Sequence, residues 1–154
     1  MIATDRLILL DTNVLLYLIR GGPAGDWIDR EFGLRRRAER PLIAVTSVGE
    51  LLRIAARGRQ PWGLRKRQQL EELVSELVVV PHDGDVLERY GTLGAFLDDC
   101  GKPIPQNDMW IAAAAAARDA VLLTTDTDFD ALHEADLVER VFIDRDRLPK
   151  RSAA

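Results

Sequence analysis

Cysteine is almost missing from this 154-residue chain, where Cys100 stands alone. That excludes an internal disulfide and any multi-cysteine metal site, and it agrees with a reducing compartment. Cys100 itself is expected to be a small, half-buried residue before a turn at Gly101. Histidine is scarce as well, with only His82 and His133. Nothing in their spacing asks for an imidazole acid–base pair, so both are expected at surface or edge positions. Long apolar runs are also missing. The longest, Met109 to Ala117, has nine residues, against the roughly 20 of a membrane-spanning helix. The N-terminus has one Arg and the short run Leu7 to Leu10 before Asp11, without the long apolar region and cleavage site of a signal peptide, so a cytoplasmic location is expected. No Gly-rich phosphate loop and no Gly-x-Ser-x-Gly elbow is present, which removes two families of phosphate and acyl chemistry.

What is present is an ordinary globular composition, 47% apolar and 30% charged. It suits a single domain, placed at residues 1–148, with 149–154 expected to fray. The net charge of −4 is unevenly spread. Residues 30 to 67 hold eleven Arg or Lys against three acids, a local +8, and leave −12 for the rest. Such a stripe can gather phosphate or an acidic peptide, or it can be a solvated face.

Short apolar runs at Leu7–Leu10 and Leu42–Val45 read as buried strands, and those at Leu77–Val80, Val121–Leu123 and Val141–Ile143 as three further strands. Between them lie helical patterns at Val14–Ile19, Asp26–Arg40, Thr46–Arg57, Leu64–Glu76, Asp83–Asp99 and Asn107–Arg118. Gly21, Gly22 and Pro23 stop the first of these, Gly58 and Pro61 the third, and Gly101 the fifth. Six consecutive alanines give the last one a slim face for packing on a sheet. Strands alternating with helices, without hairpin signals, predict an α/β fold: three layers, α/β/α, around a parallel sheet of about five strands.

Sites in such folds form beyond the carboxyl ends of the strands. Asp11 follows the first strand, Glu50 lies one turn into the helix after the second, Asp108 opens the alanine helix, and Asp126 follows the fourth strand, with Asp128 as a fifth candidate. Each has an ordinary explanation. Ser47-Val48-Gly49-Glu50 reads as a capping box, Asp108 offsets a helix dipole, and Asp11, Asp126 and Asp128 can cap helices or shape turns. Together the acids point to a cation, because clustered carboxylates repel unless protonated or bound. Mg²⁺ and Mn²⁺ take such oxygen ligands without histidine or cysteine. Asp126 to Asp130 opens like a calcium loop, but Ala131 and Leu137 occupy the positions of its Gly and Glu. Asp11-Thr12-Asn13 is similar to the Asp-x-Asp of aspartyl-phosphate phosphohydrolases, yet Asn13 cannot be the second acid.

The segments Asp11 to Leu15 (DTNVL), Ser47 to Leu52 (SVGELL), Asn107 to Ala113 (NDMWIAA) and Leu123 to Phe129 (LTTDTDF) resemble, in order and spacing, the motifs of the PIN-domain ribonucleases and, among them, the VapC toxins. The resemblance covers nearly the whole chain, from Ile8 to about Asp144. It implies that Asp11, Glu50, Asp108 and Asp126 are the catalytic, metal-holding acids, with Asp128 close by. Thr12, Asn13 and Thr124 would shape the site. At Thr125, where relatives often carry a basic residue, this chain is neutral. The resemblance further implies Mg²⁺ or Mn²⁺ as cofactor, RNA (often tRNA) as substrate, a homodimer, and a VapB-like antitoxin whose C-terminal segment occupies the acidic groove. In the mechanism that follows, Asp11, Asp108 and Glu50 serve a first ion and Asp126 with Asp128 a second. Two rivals stay open: a nuclease of the same fold in RNA maturation or DNA processing, and a binding module with a degenerate site.

Overall fold

The computed structural model describes residues 2–57 and 63–151. The Gly58–Pro61 stop signal, Arg59 of the basic stripe and residues 152–154 of the expected tail lie outside them. Five parallel strands form one sheet: β1 (Ile8–Leu10), β2 (Leu42–Ala44), β3 (Val78–Val80), β4 (Val121–Thr124) and β5 (Arg140–Phe142), in the order β3-β2-β1-β4-β5. The helices are α1 (Thr12–Arg20), α2 (Gly22–Phe32), α3 (Val45–Ala56), α4 (Leu64–Ser75), α5 (Gly84–Cys100), α6 (Gln106–Ala117) and α7 (Asp130–Glu134), followed by a 3₁₀ turn at Arg145–Arg147.

Strand β1 is central because each of its three residues is apolar and can be buried on both sides of the sheet. Leu9 faces a core shared with Leu42, Leu122, Leu93 of α5 and the alanines of α6. Ile8 and Leu10 face the other core, with Ile43, Leu123, Leu15 of α1, Leu51 of α3 and Leu70 of α4. The alternation of one strand thus separates two helical layers, and the three-layer α/β/α architecture expected from the sequence is present. Pairing of Leu10 with Leu123 aligns the carboxyl ends of β1 and β4. Successive connections leave β1 in opposite directions, toward β2 and toward β4, which opens a crevice at that end of the sheet.

Several local expectations are corrected. Pro23 does not end a helix; it sits in the first turn of α2, where its missing N–H costs nothing. The break itself is Gly21, at φ +65°. The helix expected through Arg40 stops at Phe32, because Gly33 adopts the left-handed conformation and the Leu34 N–H returns to the Asp29 carbonyl. The helix after β2 starts at Val45, so Ser47 and Glu50 lie inside it and form no capping box. Helix α7 was not anticipated at all. Cys100, the last residue of α5, is exposed rather than half-buried.

The basic stripe is not one face. Arg37 donates to the carbonyls of Ala3, Arg6 and Phe32; Arg40 donates to that of Ser75, and Arg35 pairs with Asp29. These arginines tie the irregular segment after α2 to its surroundings, leaving fewer of them for a partner.

Candidate active site

Asp11 is where the sheet and the first helix meet. It follows β1, caps α1 and is 3% exposed. Its Oδ1 accepts from the Thr12 N–H at 2.8 Å and its Oδ2 from the Thr124 hydroxyl at 2.7 Å. Thr124 Oγ1 also accepts from the Asp126 N–H at 2.9 Å. One hydroxyl on β4 therefore fixes an acid on β1 and the start of the turn carrying another. On the other side, Thr12 Oγ1 donates to Glu50 Oε1 at 2.9 Å and lies 2.9 Å from Ser47 Oγ. A single threonine proton serves one acceptor, so the fully buried Ser47 hydroxyl supplies the proton of the second contact. Ser47, read from sequence as a cap, is a link between α1 and α3.

Asp108, in the first turn of α6, meets Asp126 and Asp128 from the turn after β4; one carboxylate oxygen of each lies within 4.8 Å of the others. Asp128 is held by its own N–H, which donates to Asp126 Oδ1 at 2.9 Å. Asp108 stands with Asp126 and Asp128, while Asp11 and Glu50 flank the group through the two threonines. Asn13, half-buried, lines a cleft beside Asp126.

Electrostatics follow the crowding. Burial pushes the Asp108 carboxyl up to about 8, aided by a hydrogen bond shared with Asp128 and by the charges of Asp11, Asp126 and Asp128. Burial pushes Asp11 up to about 6 despite its two hydrogen bonds, with Asp126 and Glu50 adding to the rise. The first-turn dipole that would ordinarily favour ionised Asp108 is outweighed. The all-oxygen donor set and the cost of keeping these carboxylates charged together both fit a divalent hard cation. Asp130 is different: it pairs with Arg140 at 3.0 Å and fastens α7 to β5. His133 Nδ1 accepts from the Arg140 N–H, and exposed His82 stacks on Trp110, so neither histidine is free in the acid group. The expectation that they stay out of the site agrees with this placement.

Two features had escaped the sequence reading. Thr125 is 4% exposed and its Oγ1 has no hydrogen-bond partner among the described residues. Phe142, the last residue of β5, and Arg145 beyond it line the same cleft as Asn13, Thr125 and Asp126. A buried threonine at the end of a strand carries no local signal, and the cleft joins segments more than a hundred residues apart.

The model of the PIN domain family matches residues 8–135. Ribonuclease VapC1 of Haemophilus influenzae is 30% identical over 118 residues, covering 75% of this chain and 84% of that protein. The tRNA(fMet)-specific endonuclease VapC of Shigella flexneri is 27% identical over 119 residues, covering 77% and 86%. The solved structure of VapBC-1 from nontypeable Haemophilus influenzae superposes with a TM-score of 0.73 at 25% identity, covering 88% of this chain and 97% of that one.

Proposed function

Since the chain belongs to the PIN-domain family, in its VapC branch, we propose that it is a divalent-metal-dependent endoribonuclease, the toxin of a toxin–antitoxin pair. The observation that carries this reading is the convergence of Asp108, Asp126 and Asp128 beside the hydrogen-bonded Asp11 and Glu50. Asp11, Glu50, Asp108 and Asp126 are the proposed catalytic acids, with Asp128 as a further metal ligand.

In the proposed mechanism Asp108, Asp126 and Asp128 hold Mg²⁺ or Mn²⁺, with Asp11 and Glu50 completing the acidic wall. The bound ion supplies Lewis acidity toward the scissile phosphodiester and toward water. Thr124 keeps Asp11 and the Asp126 turn in register, and Thr12 with Ser47 orients Glu50. The ionised acids also repel RNA phosphate, so substrate enters productively only when their charge is neutralised. Water as nucleophile leaves 5′-phosphate and 3′-hydroxyl ends and makes the 2′-hydroxyl unnecessary.

RNA is the proposed substrate, in keeping with relatives named as ribonucleases and, in one case, as a tRNA-specific endonuclease. A VapB-like antitoxin is the proposed partner, since the similar solved structures are VapBC assemblies. By the same likeness the chain is expected to act as a homodimer, as one domain over residues 1–148, in the cytoplasm. Among the described residues no helix is long and apolar enough to cross a membrane.

The test is cleavage of total RNA with Mg²⁺, with Mn²⁺ and with excess EDTA, followed by mapping of the ends. Metal-dependent 5′-phosphate ends are expected. Cyclic-phosphate ends, or full activity in EDTA, would defeat the reading.

A further inference from the structure

Outside residues 30–67 the chain is strongly acidic, yet one cavity of about 590 Å³ is lined by Arg20, Lys66, Arg145, Lys150 and Arg151 with no Asp or Glu in its wall. Four of these five cations come from outside the basic stripe. The cavity lies where the end of α1, the start of α2 and the start of α4 meet the segment after β5. Within that segment Leu148 is buried in the core, and Arg151 donates to the Arg20 carbonyl. The side chains of Arg20, Arg145 and Lys150 have no hydrogen-bond or ion-pair partner among the described residues. Three cations in one concavity without such partners offer counter-charges to a polyanion.

Arg145 also belongs to the wall of a second cleft, of about 360 Å³, shared with Asn13, Thr125, Asp126 and Phe142. This cleft touches the acid group through Asp126. Asp144 and Asp146 also line it, and their charge disfavours phosphate beside them. Phe142, 40% exposed with the Arg140 guanidinium 6.0 Å over its ring, offers an aromatic surface, and Thr125, whose buried hydroxyl has no hydrogen-bond partner among the described residues, lines the same cleft. Those groups suit a nucleobase, as RNA readers use an aromatic face for stacking and polar groups for the base edge.

We propose that a single RNA strand leaves the acid group through the Thr125–Phe142 cleft, seats a base there, and lays its next phosphates in the cavity of Arg20, Arg145, Lys150 and Arg151. The proposal rests on the ribonuclease reading for the identity of the polyanion. Continuity with the acid group through Arg145 favours RNA over an acidic peptide. The C-terminal segment becomes part of the substrate surface, and among the described residues of the stripe at 30–67 Lys66 alone lines it.

The test measures binding of a labelled single-stranded RNA oligonucleotide in EDTA across a salt series. The wild type is compared with Arg145→Gln/Lys150→Gln and with Arg89→Gln/Lys102→Gln, a charge-matched change in and after α5. Circular dichroism checks each fold, and Lys150→Gln alone serves if the double variant fails to fold. The first pair is expected to flatten the slope of log affinity against log salt by about 1.4, at ~0.7 per phosphate contact on a single strand, and the second pair to leave it unchanged. Equal slopes for all three proteins, equal flattening by both pairs, or absence of RNA binding by the wild type would overturn the proposal. So would weakened antitoxin binding with RNA affinity intact. Loss of RNA binding in the first pair, with a wild type that binds RNA but cleaves nothing in Mg²⁺, would uphold the RNA path and defeat the ribonuclease reading. Cleavage with an unaltered salt slope would do the reverse.

Discussion

Thr124 donates its hydroxyl to Asp11 across 113 positions of sequence and 2.7 Å of space. The same oxygen accepts from the Asp126 N–H. Two acids from separate halves of the chain are therefore positioned by one atom.

Replacing Thr124 by Val keeps the strand and its shape while leaving Asp11 Oδ2 and the Asp126 N–H without that partner. The expected loss is about 1–3 kcal/mol of stability from unsatisfied buried groups, and roughly 10–100-fold in metal affinity, as found for partners that orient ligands. Thr124→Ser should restore metal affinity, because it restores the hydroxyl. Isothermal titration with Mn²⁺ reads this directly; equal affinity for Val and Thr would remove the positioning role.

Asp108→Asn deletes the charge that its surroundings resist most. Cleavage should fall at least about a hundredfold, no less than the loss of an orienting partner. The metal-free protein should melt higher than wild type at pH 9, because Asn relieves the crowding of Asp11, Asp126 and Asp128. A lower melting temperature at that pH would show that Asp108 stabilises the metal-free fold.

The pH dependence has a definite sign. Asp11 rises from 3.8 to about 6 and Asp108 from 3.8 to about 8 in the folded chain. The folded state holds protons that the unfolded state has released, so these groups favour folding least at high pH. Their effect appears above pH 4; for Asp11 it is complete above about pH 6, and for Asp108 above about pH 8. Melting in EDTA from pH 5 to 9 should show a decline that Asp11→Asn/Asp108→Asn lacks. Added Mn²⁺ should reverse the trend, with affinity increasing over the same range as protons are displaced. A flat profile in EDTA, shared by wild type and variant, would contradict the assignment.

Gly25 is set by proximity. A Cβ there would stand 2.5 Å from the Tyr17 carbonyl oxygen and 3.5 Å from Leu18 Cα, both backbone atoms of α1. Gly25→Ala should force α2 away from α1 and cost about 1–3 kcal/mol. Urea denaturation measures it, and an unchanged midpoint would mean that the two helices separate freely.

Much of this was legible in the residues. The runs LILL, LIAV and VLL give the three central strands because a strand buried on both faces must be apolar throughout, and the acids after them fall at the sheet's open edge. What stayed hidden was mostly non-local. Pro23 ends a helix or opens one with equal ease, and only the turn at Gly21 decides. Ser47 and Glu50 have the spacing of a capping box, but α3 begins two residues before Ser47 and turns that hydroxyl toward Thr12. The arginines after α2 look like a surface for phosphate until their guanidinium groups are found on backbone carbonyls. Asp108 could be placed beside the other acids, but its union with Asp126 and Asp128 depends on how α6 packs against the sheet.

The register of β1 with β4 also governs when the chain can become active during its synthesis. Strands β1, β2 and β3 come from the first 80 residues and form one half of the sheet; β4, with Thr124, Asp126 and Asp128, arrives more than forty residues later. A nascent chain folds from its N-terminus, so Asp11 and Glu50 are made well before Thr124, which fixes Asp11, and before the acids that must stand beside them. A translating ribosome would thus release a nuclease that had been inert throughout its own production, however rich in RNA its surroundings.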